Sequence, residues 1–278
     1  MSTSYFVSGD IHSYFENWML YLKNAGFEID NPYHKVIICG DLFDRGDETL
    51  KCFEFVKRLA EQDRLVYVRG NHEDLLFDCV NEIRRRFDIS RHHISNGTLK
   101  TVAQIADTNQ YDLLCNCYDQ NRFDVNIAEV LNFIEEHSVD FFELGNYIFV
   151  HGWVPCDSPD SNKYHARKSV TLADRDTWSD KWDNARWLNG IDCWSQKAIP
   201  EGKTIVCGHW HTSWGHYRFH GHQEEFPSLG YKDARLSFKP FIEDGIIALD
   251  GCVAYSGIVN VAVFTVDENN NISVGGII

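Results

Sequence analysis

With 278 residues and 44% hydrophobic content, the chain can bury one sizeable core, and no linker or low-complexity stretch divides it, so residues 1–278 read as a single domain. A net charge of −15 and a pI near 5.2 exclude a broad nucleic-acid or anionic-membrane surface, but not a local cationic pocket. The nine cysteines lack metal-finger spacing, and two of them, Cys39 and Cys207, lie inside apolar runs, which suits reduced thiols. The start of the chain has no basic-then-apolar signal, and no apolar stretch is of bilayer length, so the expected compartment is cytoplasmic.

Residues 4–8, with the apolar run Tyr5-Phe6-Val7, are expected to form a strand that leads to Gly9-Asp10-Ile11-His12, and a helix is expected from about Ser13 with Tyr14, Trp18, Tyr21 and Leu22 on one face. After a loop at Asn31-Pro32, a strand over 36–39 ends at Gly40-Asp41-Leu42-Phe43-Asp44-Arg45-Gly46. The helix that follows takes Leu50, Phe53, Phe55, Val56 and Leu59 as its apolar members. A third strand, 65–68, ends at Arg69-Gly70-Asn71-His72-Glu73 and leads into a helix from Glu73, closed by Arg84-Arg85-Arg86 as a solvated end. Residues 87–138 read as an irregular helical insertion with a turn at Asn96-Gly97 and a helix from Asn126 to Glu136; His92 and His93 read as surface residues.

Strands over 139–142 and 147–150 are expected to pair around Gly145-Asn146, the second ending at His151-Gly152. Residues 152–203 have weak periodicity, and Trp178, Trp182, Trp187 and Trp194 read as core beneath a long loop, with a substrate cleft as the other reading. A strand at 204–207 runs into Gly208-His209-Trp210-His211. Residues 212–240, with His216, His220 and His222, read as a polar loop. Strands at 246–250 and 258–266, a turn at Asn269-Asn270-Asn271 and a short strand close the chain. The alternation of strand, loop and helix is that of an α/β fold.

Five strand-like runs thus end in Asp, His or Asn, the residue types that bind metal ions. Two carboxylates and a guanidinium within Asp41–Arg45 would be costly to bury together unless cations lay between them. In that setting Asp41 takes a metal, Arg45 an anion, and Asp44 orients a partner.

The ordered set Gly-Asp-x-His, Gly-Asp-x-x-Asp-Arg-Gly, Arg-Gly-Asn-His-Glu, His-Gly and Gly-His-x-His resembles the calcineurin-like metallophosphoesterases. Asp41–Gly46 and Arg69–Glu73 are similar to the phosphoprotein phosphatase branch, which includes the bacterial serine/threonine phosphatases. The resemblance runs from Asp10 to about Gly257. It implies a four-layer α/β/β/α sandwich with a dinuclear metal centre between strand ends. By motif, Asp10 and His12 hold the first metal, Asp41 bridges both, and Asn71, His151 and His209 complete the second. His72 sits beside the metals and is oriented by Asp44, while Arg45 and Arg69 grip the phosphate. The strict phosphoprotein phosphatases usually lack the second His of Gly-His-x-His; here it is His211, expected as an added ligand of the first metal.

Mixed oxygen and nitrogen ligands suit Mn, Fe or Zn over Ca, with Mn first. Two such ions lower the pKa of a bridging water and clamp the ester oxygens. His72 is the natural general acid for the leaving alkoxide. The expected activity is that of a metal-dependent phosphomonoesterase, of serine/threonine protein phosphatase type, acting on a phosphorylated protein or a small phosphoester. A dinucleoside tetraphosphate hydrolase or a phosphodiesterase is the alternative. An inactive metal-binding scaffold is disfavoured because no motif residue is missing.

Overall fold

A computed structural model describes residues 2–85, 88–157, 170–221 and 237–278. In chain order its strands are β1 (Thr3–Ser8), β2 (His34–Cys39), β3 (Leu65–Val68), β4 (Ser138–Val139), β5 (Phe142–Leu144), β6 (Tyr147–Phe149), β7 (Cys156–Asp157), β8 (Thr171–Leu172), β9 (Thr204–Cys207), β10 (Phe241–Glu243), β11 (Ile246–Ala248), β12 (Val261–Val266) and β13 (Ile272–Ile277). Its helices are α1 (Phe15–Asn24), α2 (Thr49–Glu61), α3 (Asn71–Arg84), α4 (Arg91–Asn96), α5 (Thr98–Ile105), α6 (Gln110–Leu114), α7 (Gln120–His137), α8 (Trp182–Ala185), α9 (Gly190–Ser195), α10 (Thr212–His220) and α11 (Val253–Ser256).

The first sheet has the order β13-β12-β1-β2-β3-β4, and the second β10-β11-β9-β6-β5. β1, β2, β3 and β4 are mutually parallel, as are β6, β9 and β11. Parallel strands buried on both faces read as continuous apolar runs, which is why Val36–Cys39 and Ile205–Cys207 show no alternation. Val7, Ile37, Val68, Phe149, Val206 and Phe264 pack together between the sheets. The outer face of the first sheet is covered by a core that includes Trp18, Phe55, Leu76, Val102 and Phe123 from α1, α2, α3, α5 and α7. On the other side Trp153, Trp178, Trp182 and Ile191 cover the second sheet. These are the four α/β/β/α layers.

Several local expectations change. The run 139–142 is not one strand: β4 pairs with β3, the chain crosses at Asp140, and β5 pairs with β6 in the other sheet. Asp140 at the crossing is held by Arg186 at 2.7 Å, a long-range contact that no local pattern encodes. Leu50 is exposed, being placed in the first turn of α2 away from its apolar face. His93 is buried, with Nε2 3.5 Å from a Glu82 carboxylate oxygen, so it is not a surface residue.

The expected polar loop begins with a helix, α10, which the sequence did not announce because its buried residues, Thr212, Ser213, Gly215 and His216, carry no hydrophobic periodicity. His222 and Arg86 lie outside the described residues. Trp178 and Trp182 are core residues, while Trp187 lines a cavity. No described helix is long and apolar enough to cross a membrane.

Phe264 packs edge-on against Phe149 at 5.2 Å and Tyr147 at 4.9 Å, joining the two sheets. Phe264→Ala should lower unfolding free energy by about 3–5 kcal/mol, read as a lower urea midpoint with an unchanged slope.

Candidate metal centre

The parallel strands end on one edge, and their following turns converge. β1 delivers Asp10 and His12, β2 delivers Asp41 and Asp44, and β3 delivers Asn71 and His72. From the second sheet β6 delivers His151 and β9 delivers His209. The turns are tight: His12, Asp41, Asp44, Arg45 and His209 all have positive φ, between 50° and 76°. Left-handed backbone at non-glycine residues is costly and tends to collect at functional sites.

Asp41 is central. One of its oxygens, Oδ1, is 3.2 Å from His151 Nε2; the other, Oδ2, is 3.8 Å from both His12 Nε2 and His72 Nε2. Ligand-type atoms of His12, Asp41 and His72 form one close group, and those of Asp41, His151 and His209 another, so this carboxylate belongs to both. Asp10 Oδ2 lies 3.8 Å from His12 Nε2, and its Oδ1 accepts the backbone N–H of His209 at 2.7 Å. Asn71 Oδ1 is 2.7 Å from His151 Nε2.

The imidazoles are locked from behind. His12 Nδ1 is 2.9 Å from the Phe43 carbonyl and His151 Nδ1 2.7 Å from the Cys39 carbonyl. A carbonyl only accepts, so both Nδ1 atoms carry a proton, and each ring turns its Nε2 toward oxygens of Asp41, a contact that only a proton or a metal ion makes favourable. Lone pairs facing carboxylates in a buried site repel unless a cation intervenes. A carbonyl behind the ring is the usual support of a metal-bound histidine. His209 Nε2 is buried without a hydrogen-bond partner among the described residues. These residues fit divalent cations.

The electrostatics of these side chains carry the same message. Burial, then Asp250 and Asp41, push the Asp10 carboxyl well above the ordinary range. Burial also pushes Asp41 up, but the surrounding imidazoles, His151 first, hold it well below. Burial lowers His12 well below its usual value, His209 to about 3 and His211 to about 4. Burial opposes charge on His72 and His151 as well, yet Asp41 raises both, His151 to about 10. Carboxylates and imidazoles are thus competing for protons in a space that wants positive charge.

His72 Nδ1 lies 2.7 Å from Asp44 Oδ2, leaving Nε2 directed at the site. The Arg45 side chain is exposed at the rim and joins no ion pair among the described residues. Arg69 is drawn aside: its Nε donates to Asp74 at 2.7 Å and its guanidinium lies 4.8 Å from the centre of the Phe77 ring. His211 falls in neither ligand group, and its Nδ1 is 3.2 Å from Ser213 Oγ.

Motif reading left four contributions unassigned. Asp250 follows β11 as a sixth strand-end residue of metal-binding type; burial raises it to about 6. Its signal was present, since Asp250-Gly251 closes the apolar run Ile246–Leu249. Glu73 accepts backbone N–H groups from Asp41 and Leu42 at 3.0 Å and from Gly70 at 2.7 Å, tying β2's turn to α3.

The insertion reaches the site through Thr98, whose Oγ1 donates to Asp44 Oδ2 at 2.6 Å, and Thr101, whose Oγ1 accepts the Asp44 N–H at 3.1 Å. Gly97 lets α5 approach: a Cβ there would lie 2.6 Å from the Arg45 nitrogen. Arg186, buried, bonds Asp74 at 2.8 Å, Asp140 at 2.7 Å and Asp183 at 2.6 Å. It lines a cavity of about 500 Å³ with Arg69, Asp74, Phe77, Asp183 and Trp187. The Trp187 ring is 6.1 Å from that of His209, so this cavity adjoins the centre.

Thr98→Val removes one donor from a buried carboxylate. The loss should destabilise the fold by about 1–3 kcal/mol, measured by urea unfolding. Gly70→Ala should be worse, because its Cβ would overlap the Asp41 side chain and main chain; soluble yield and a cooperative melt report it.

The sequence profile of the calcineurin-like phosphoesterase family matches residues 4–228. An asymmetrical bis(5'-nucleosyl)-tetraphosphatase PrpE of Anoxybacillus flavithermus is 37% identical over 107 residues, 36% of this chain and 40% of that protein. A symmetrical bis(5'-nucleosyl)-tetraphosphatase of Glaesserella parasuis is 35% identical over 79 residues, 28% of each chain. The chain therefore spans less than half the length of these two relatives. A PrpE of Bacillus velezensis is 22% identical over 213 residues, 74% of this chain and 77% of that one. Among solved structures, a cold-active protein-tyrosine phosphatase of a psychrophilic Shewanella matches with a TM-score of 0.51 at 12% identity, covering 98% of this chain and 80% of that one, a likeness of fold alone. The turns at these strand ends, together with the profile match over most of the chain, make it a member of the calcineurin-like phosphoesterase family.

Proposed function

We propose that the chain hydrolyses phosphate monoesters at a dinuclear divalent-metal centre. The observation that carries this reading is the Asp41 carboxylate shared by two ligand groups. His12, Asp10 and Asp41 would hold one ion, and Asp41, Asn71, His151 and His209 the other, with Mn, Fe or Zn suited to the mixed donors. Bound there, the pair supplies charge neutralisation at the ester oxygens and an acidified water as nucleophile.

The chain's own residues do the rest. Asp44 accepts from His72 Nδ1–H and fixes the ring, so that Nε2–H can protonate the departing alkoxide. Arg45, in no ion pair among the described residues, offers its guanidinium to the non-bridging oxygens. His211 is proposed as a further ligand of the first ion.

Substrate class follows from charge. Beyond the centre, the adjoining cavity sets Arg69 and Arg186 against Asp74, Asp78 and Asp183, so its cations are already offset. A terminal phosphate on a protein side chain or small molecule needs only the centre and Arg45. A polyphosphate chain laid along this wall would meet carboxylates. The names of the relatives favour a second reading, hydrolysis of a dinucleoside tetraphosphate.

A panel on Mn-loaded protein separates the readings: an aryl phosphate, phosphopeptides, diadenosine tetraphosphate and a bis-aryl diester. The monoester should exceed the diester in kcat/KM by at least about tenfold, since one charge-assisted contact is worth about 1.5–3 kcal/mol. Arg45→Ala should narrow that gap. Faster cleavage of diadenosine tetraphosphate than of every monoester rejects the monoesterase reading.

His72→Asn should lower kcat by roughly 10²–10⁴-fold with metal content unchanged, and by less for a nitrophenolate leaving group. Loss of an ion from this variant, measured by elemental analysis, would instead make His72 a ligand, as its place beside His12 and Asp41 allows.

A further inference from the structure

A second pair of facing imidazoles lies outside the metal centre. His216 and His220 are one helical turn apart on α10, on the same face, and their Nδ1 atoms are 2.9 Å apart. The outer nitrogens are both engaged. His216 Nε2 lies 3.1 Å from the Lys239 carbonyl, and His220 Nε2 lies 2.8 Å from Glu243 Oε1 on β10. The Phe241 ring packs against both, 5.6 Å and 5.2 Å away.

The hydrogen bonds set the tautomers. A carbonyl oxygen and a carboxylate oxygen both accept, so each Nε2 carries its proton and each neutral ring keeps its lone pair on Nδ1. Two lone pairs then point at one another across 2.9 Å, which is repulsive unless a cation lies between them. That cation is either a proton, making one ring an imidazolium, or a metal ion. The surroundings match a metal: a backbone carbonyl behind one ring and a carboxylate behind the other are the usual supports of ligating histidines. His12 and His151 are held in the same way, by carbonyls behind the ring.

We infer that His216 and His220 form a structural metal site outside the centre, for a nitrogen-preferring divalent cation such as nickel or zinc. Two histidines four apart on a helix can hold one such ion. An ion about 2.05 Å from each nitrogen would see the pair, at their 2.9 Å separation, at about 90°, the angle between neighbouring ligands of a six-coordinate ion. Imidazole pairs select nickel, copper or zinc over manganese, whereas the centre adds the oxygens of Asp10, Asp41 and Asn71 to its imidazoles. The ion would fasten α10 to the edge of the second sheet through Lys239 and Glu243. Because α10 starts directly after His209-Trp210-His211, it would steady the turn that carries those histidines.

The test uses the full chain loaded with manganese and dialysed to equilibrium against nickel at neutral pH. The wild type should retain one more nickel per chain than His220→Gln, whose folding is verified by circular dichroism. The His220 side chain is 33% exposed, which makes the substitution tolerable, and Glu243→Gln provides a second variant that keeps both rings. It should weaken nickel binding about 10–100-fold, as loss of such supporting groups does. Nickel at about ten times its dissociation constant should slow amide exchange across 212–220 about tenfold in the wild type and not in His220→Gln. Equal nickel content in wild type and His220→Gln, or exchange across α10 that nickel leaves unchanged, overturns the assignment and leaves a proton between the rings.

Discussion

Everything in this molecule answers to the crowding of acceptors around Asp41. Its carboxylate is almost fully buried, faces three imidazoles and lies near the carboxyls of Asp10 and Asp250. No arrangement of protons satisfies such a set, because a proton that relieves one carboxylate takes charge from the neighbour that stabilised it. Divalent cations relieve all of them together. The parallel strands, the positive-φ turns and the buried Glu73 brace are what it takes to hold that many like-charged groups at one point before the cations arrive.

A second tier of contacts aims the groups that surround the centre. Asp44 orients His72, and the helical insertion in turn orients Asp44 through Thr98 and Thr101. The insertion is therefore part of the site's support, coupled to it by two buried hydroxyls and by the bare backbone of Gly97. Arg186 plays a comparable part on the other side. It ties Asp74 of α3, Asp140 at the crossing between sheets and Asp183 of α8 into one cluster, and Arg69 shares Asp74 with it. Arg186 is buried, so Asp74, the least exposed of its three carboxylates, is the partner whose loss would cost most, and the cluster walls the cavity beside the centre.

Histidine is used in one recurring way. His12 and His151 each lie with one ring nitrogen against a backbone carbonyl and the other facing the centre, and His216 lies against the Lys239 carbonyl. The carbonyl selects the tautomer and so decides which nitrogen keeps a lone pair. Because those carbonyls come from distant strands and loops, the chemistry of each ring is a property of the folded chain.

The amino-acid sequence by itself determined the strands that end in ligands, since buried parallel strands need unbroken apolar runs and sharp turns need glycine. That was enough to read β1, β2, β3, β6 and β9, the α/β class, the family and the chemistry-bearing motifs from Asp10 to His209. It fell short wherever a residue's role comes from a partner far along the chain. His93 looks like a surface residue until Glu82 and the α4–α5 turn bury it, and Arg186 looks like any arginine until three carboxylates from separate elements close on it. The helix α10 was hidden because its buried face is Thr, Ser, Gly and His, and hydrophobic periodicity detects only apolar faces. The split of 139–142 between two sheets, and the joining of the insertion to Asp44, were decided by tertiary packing alone, because pairing a strand or a hydroxyl with its partner depends on which surfaces meet, and local sequence does not encode that.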